Sequence, residues 1–266
     1  AQLEKHQLER AEWLIRGAEA LINAEKYHLA QRLLNASTSI KFPDAKTPSE
    51  IMTRVDLNRI TIEIAESKLT QANQHFSKLL KQQVFSSDHN ESLKAVVGAR
   101  LALLSGDYER AERYSHQLDS DLDKMSGKAD ATGESTRDKF IKEFYQALLD
   151  RVVILVNLDR FKDAAKLARR LASLNFGNGN DPLSIYALAN LSLCYELDNH
   201  RSLALAAKHE ALTKMRLTET TQNSNLLGDA KKYLARVEAL QGNTTRAKRY
   251  SAEAKELYRI SSAKRE

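Results

Sequence analysis

Six alanines set the frame for this chain. Ala30, Ala72, Ala111, Ala164, Ala204 and Ala247 each stand three residues after a corner residue: Tyr27, Leu69, Tyr108, Phe161, Arg201 and Thr244. Successive alanines lie 42, 39, 53, 40 and 43 residues apart. A near-constant period of this size restricts a chain to stacked copies of one supersecondary unit. The long interval has a visible cause. Residues 119–137, DSDLDKMSGKADATGESTR, are polar and carry Gly127 and Gly133, so they predict an insertion between the third and fourth repeats.

Each repeat divides into two helices. Three Pro and nine Gly in 266 residues leave too little turn chemistry for an all-β fold. The first helices are predicted over about 7–24, 48–66, 89–105, 136–158, 181–198 and 223–241, and the second over about 27–40, 69–85, 108–124, 161–175, 201–218 and 244–263. Leu14, Ala18, Leu21 and Ile22 share one helix face, as do Leu148, Val152, Leu155 and Val156. Pro48 and Pro182 sit where a first turn tolerates proline. Short turns such as Gly106-Asp107 and Gly242-Asn243 force the paired helices antiparallel. The expected architecture is all-α, a single domain over 1–266 built from repeats at about 7–40, 48–85, 89–124, 136–175, 181–218 and 223–263.

The six alanines are packing residues in this reading. A larger side chain would hold two crossing helices apart. Small residues recur on the facing first helix at Ala18, Ala99, Ser192 and Ala235, while Ile60 and Val152 take that place in the second and fourth repeats.

NLSLCYELDNHRSLALAAKHEAL, residues 190–212, resembles the tetratricopeptide repeat. Asn190, Leu191, Ser192 and Tyr195 match the family's first helix, Ala204 and Ala211 its second, and SGDYERA at 105–111 its central turn. The spacing exceeds the family's period of about 34, and the closing Pro is mostly missing. The resemblance implies a right-handed superhelix, an α-solenoid, with a concave groove lined by first helices. It places Arg16, Asn58, Arg100, Asp150, Asn190, Lys232 and Arg236 in that groove. The family's carboxylate-clamp sets are not assembled here. Longer helices resemble the regulatory variants in bacterial signal-transduction and transcription-control proteins. A non-enzymatic, cytoplasmic interaction module follows, with a protein or peptide as partner; a homodimer is one form of that pairing. A groove that senses a peptide or small ligand is an alternative.

Sequence motifs for chemistry are sparse. Cys194 is the only cysteine, so it forms no internal disulfide and reads as a buried apolar residue. Asp119–Asp123 has the alternating carboxylates of a calcium loop, but Lys124 and Asp130 stand where Gly and Glu are required. FGNGND, 176–181, lacks both a preceding strand and the phosphate-loop Lys. The seven His show no metal-ligand spacing, and no Ser sits in a nucleophile elbow. No catalytic residue, metal or cofactor is expected. No apolar run of about 18 residues exists to span a membrane. The chain begins at Ala1 and is helical in pattern by Leu3, which reads as a segment of a longer protein.

Charge is more informative. The net is +6, and residues 223–266 alone hold ten positive and five negative side chains. Lys231, Lys232, Arg246, Lys248 and Arg249 form a basic patch there. A basic surface of this kind favours nucleic acid, anionic lipid or an acidic protein, and nucleic-acid binding by the last repeat is the other alternative.

Overall fold

The computed structural model describes residues 2–23, 26–40, 49–81, 88–124, 144–173, 182–218 and 224–263. Among the described residues there are twelve α-helices and no strand. They are α1 (Gln2–Asn23), α2 (Tyr27–Thr38), α3 (Ser49–Ala65), α4 (Leu69–Lys81), α5 (Asp88–Leu104) and α6 (Tyr108–Lys124). Then follow α7 (Tyr145–Asn157), α8 (Phe161–Ala172), α9 (Pro182–Leu197), α10 (Arg201–Leu217), α11 (Ser224–Leu240) and α12 (Thr244–Ala263). Every second helix begins at the corner residue singled out in the sequence. The helix α1 starts earlier than expected, at Gln2. The helix α6 ends at Lys124, as expected for 108–124, and so takes in the first residues of the expected insertion. Residues 119–124 are therefore helical, which removes the calcium-loop backbone; 125–137 lie outside the described residues, as does 176–181.

One corner geometry recurs six times. The backbone N–H groups of Lys26, Lys68, Asp107, Arg160, His200 and Asn243 each donate to the carbonyl five residues earlier, at 2.8–2.9 Å. This is the six-to-one bond that closes a helix in a Schellman motif. The motif needs a left-handed residue just before the donor. Ser67 (φ 62°), Gly106 (75°), Asp159 (57°), Asn199 (59°) and Gly242 (80°) fill that place. Each donor residue then starts the next helix, since its carbonyl accepts from the N–H of the marker alanine at 2.9–3.0 Å. The corner thus fixes the rotational phase of the second helix. Asp107 adds a side-chain cap, accepting from the Arg110 N–H at 3.0 Å. Lys26, Arg160 and His200 make no side-chain cap.

Phase decides what is buried. Residues four and seven after the marker alanine complete a buried row: Ala30, Leu34 and Ser37; Ala72, Phe76 and Leu79; Ala111, Ser115 and Leu118. The row continues as Ala164, Ala168 and Leu171, then Ala204, Lys208 and Ala211. The last hairpin breaks the pattern. Ala247 is only half-buried and Ser251 is exposed, while Tyr250, Ala254 and Leu257 form the buried row. The expectation of a tight crossing at Ala247 is corrected. The helix α12 packs chiefly against α11 and turns toward it, setting Tyr258 over Gly228.

The chain divides into two compact units, 1–121 and 122–266. In the first, α3 packs against α1, α2, α4 and α5. Its core holds Ile15, Leu34 and Val55, with a second cluster around Leu57, Ile60 and Phe76. Arg54 donates from Nε and Nη2 to both Glu19 carboxylate oxygens at 2.8 and 2.7 Å, a fork tying α3 to α1. In the second unit, α9 is central. It packs against α7, α8, α10 and α11, and every residue from Ser184 to Tyr195 is buried. Tyr145 pins the start of α7 by donating to the Leu171 carbonyl at 2.9 Å.

Candidate functional site

The residues expected to line a groove scatter in the structure. Asn58, Asp150 and Asn190 are buried. Asn58 donates from Nδ2 to Glu19 Oε1 at 3.1 Å, and Asp150 accepts from Gln146 Nε2 at 3.3 Å. Asn190 donates to the Tyr186 carbonyl at 2.9 Å. These three are packing residues here and present little surface, which corrects their placement on an open groove. The cause is the coverage of α3, α7 and α9 by neighbouring helices, which a family pattern read along one helix does not register. Arg16 is exposed beside Glu12, Arg100 is half-buried, and Lys232 and Arg236 are exposed.

A polar aromatic seam runs between first helices of the second unit. The rings of Tyr186 and Tyr233 lie 5.6 Å apart, and Tyr258 donates to Asp229 Oδ1 at 2.7 Å. Burial, then the nearby Asp229 and Asp150 charges, push the Tyr186 hydroxyl well above its ordinary pKa. Burial pushes the Tyr233 hydroxyl up to about 12. Neither phenol is suited to proton transfer near neutral pH. Cys194, on α9 like Tyr186, is fully buried, with its thiol pushed up to about 12 by burial. These groups read as structure rather than chemistry.

The basic patch is partly spent within the molecule. Lys231 pairs with Glu253 at 2.5 Å and lies 4.6 Å from the Tyr250 ring centroid. Arg249 covers the same ring at 5.3 Å and approaches the same carboxylate at 3.5 Å. Lys232, Arg246 and Lys248 remain exposed.

Positive charge is spread further than the last repeat. The helix α8 has Lys162, Lys166, Arg169 and Arg170 against Asp163; α10 has Arg201, Lys208, Lys214 and Arg216 against Glu210. The helix α12 has Arg246, Lys248, Arg249, Lys255 and Arg259 against Glu253 and Glu256. Each second helix of this unit therefore carries a formal +3, while α7, α9 and α11 together balance. Between α8 and α10 lies a cleft of about 330 Å³, lined by Lys162, Lys166, Arg169, Tyr195, Asp198 and His200 with Ala165 and Leu203. The sequence signal for it was present as cations at i, i+4 and i+7 on α8. Its other wall comes from the next repeat, which local spacing does not reveal.

Among the described residues no group of three or more His, Cys, Asp or Glu could hold a metal ion. No described helix is long and apolar enough to cross a membrane. No protein-family model matches the chain, nor does any curated protein or solved structure.

Proposed function

We propose that the chain is a non-enzymatic interaction module that binds an acidic protein partner through the second helices of its C-terminal unit. The observation that carries this reading is the distribution of charge: +3 on each of α8, α10 and α12, against balance on the first helices. A surface of one sign steers and holds a partner of the other. A tetratricopeptide-like stack, with its right-handed superhelix, is the frame of this proposal and rests on the sequence resemblance. In this reading partner binding controls an attached output domain of a larger cytoplasmic signalling protein. Repeat stacks deform a little at each interface, and that is how occupancy of the outer face would reach such a domain. Affinity purification with lysine-directed cross-linking tests the reading. The expected result is a co-purified acidic protein joined through Lys162, Lys166, Lys248 or Lys255. Cross-links confined to other lysines, or no protein enriched above a charge-matched control, would overturn it.

A further inference from the structure

The cleft between α8 and α10 is more specific than the surface around it. Lys162, Lys166 and Arg169 form one exposed row on α8, because residues three and four apart share a helix face. The end of α9 supplies Tyr195, the corner after it Asp198 and His200, and the start of α10 Leu203. Arg169 does not hang freely. Its guanidinium lies 5.6 Å from the Tyr195 ring centroid and donates to the Tyr195 hydroxyl from Nε at 2.9 Å and also from Nη2. A guanidinium bonded in this way is already oriented, so less entropy is lost when it grips a ligand.

Part of the positive charge of this unit is neutralised within it. Arg160 is paired with Asp163, Lys208 with Glu238, Lys214 with Glu210, Lys231 with Glu253 and Arg259 with Glu256. Among the described residues, Lys162 and Lys166 have no such carboxylate, nor do Arg201, Arg216, Arg246, Lys248 and Lys255; what sets Lys162 and Lys166 apart is that they line the cleft. The one acid in the cleft, Asp198, faces His200 at 3.3 Å.

We infer that this cleft is a carboxylate-binding site that takes neighbouring Asp or Glu side chains of an acidic peptide segment. The choice of a peptide rests on the interaction-module reading; the choice of an anion rests on the cleft alone. About 330 Å³ is near the small end of ligand sites, enough for a few side chains. Ala165 and Leu203 offer apolar wall to their methylenes, while the three cations meet the carboxylates. A single-stranded nucleic acid fits less well. Base stacking needs an open aromatic face. Tyr195 and Tyr250 are buried, and Lys231 and Arg249 lie over the Tyr250 ring.

Fluorescence anisotropy of labelled hexaglutamate with the full chain at low salt tests the site. The K162Q/K166Q pair should weaken binding about tenfold, and the K248Q/K255Q pair on α12 less than about twofold. Arg169→Lys keeps the charge but loses the fork held by Tyr195, and should also weaken binding. All five positions are exposed, and circular dichroism checks the fold of each variant. Equal weakening by the two pairs would overturn the site. So would tighter binding of inorganic phosphate, or of an oligodeoxynucleotide of equal charge. A protein partner still held by K162Q/K166Q overturns the cleft and leaves the module standing. Hexaglutamate held in the cleft by a chain that cross-links to no partner does the reverse.

Discussion

Ser192 reaches from α9 to α10 and donates its hydroxyl to the carbonyl of Ala204 across 2.8 Å, with both residues fully buried. A small residue thus meets a marker alanine directly at the crossing. Nothing larger fits without moving the helices, because interiors are close-packed.

Overfilling the crossings should therefore be costly in five hairpins and mild in the sixth. Ala204→Leu and Ala111→Leu are expected to cost roughly 1–3 kcal/mol each. Ala247→Leu, at a half-buried site, should cost less than about 0.5 kcal/mol. Urea unfolding of the three variants compares them. Equal losses at all three would contradict the packing described for α12.

The corners make an opposite prediction. Ser67 holds a left-handed conformation, at φ 62°, in the place that Gly106 and Gly242 fill in two other corners. Ser67→Gly relieves that strain and should stabilise the chain by roughly 0.5–1 kcal/mol, and Gly106→Ala should lose about as much. Thermal unfolding reads both. A destabilising Ser67→Gly would mean that its side chain, not its backbone, shapes the corner.

A buried ion pair links the last two hairpins. Lys208 Nζ lies 3.0 Å from Glu238 Oε1, and Asn243 Nδ2 donates to Glu238 Oε2 at 2.8 Å. Burial raises the Glu238 pKa, but hydrogen bonds from Lys208 and Asn243, aided by the Lys208 and Arg246 charges, outweigh it and hold the carboxyl below its usual value. The unfolded chain therefore takes up this proton first on acidification. The stabilisation is complete above the ordinary carboxylate pKa and is lost as pH falls through the folded value. Lys208→Met strands a buried carboxylate and should cost about 3–5 kcal/mol at neutral pH, with part of the loss recovered in acid. A loss independent of pH would sink this account of the pair.

The alkaline side has its own limit. Cys194 and Tyr233 are pushed up to about 12, from ordinary values of 9.0 and 10.0. Folding holds their protons more tightly than the unfolded chain does. Stability is thus complete below about pH 9 and falls as pH rises toward 12. The native thiol should resist alkylation at pH 8 and react only on unfolding, as a rate measurement with iodoacetamide would show. Fast labelling of the folded chain would place Cys194 near the surface instead.

The hairpins were legible because two local signals coincide. The marker alanine and the corner lie within one short stretch, so spacing alone located all six second-helix starts. Ala247 misled because its neighbourhood reads like the others, while its burial depends on what α12 packs against. Asn58, Asp150 and Asn190 misled for a related reason: a helix covered on every side leaves no groove face. Of the cleft only the cation row on α8 was legible, since Arg169 meets Tyr195 from 26 residues away, on the next helix pair.

The most direct test of the proposed second-helix surface is lysine acetylation footprinting of the chain with and without the acidic protein that co-purifies with it. Lys162, Lys166, Lys248 and Lys255 are exposed, as are Lys78 and Lys81 on α4. Slower acetylation of the first four on complex formation, with Lys78 and Lys81 unchanged, is the predicted result. Protection of Lys78, Lys81 or the first-helix Lys232, with α8 and α12 labelled as before, would contradict it.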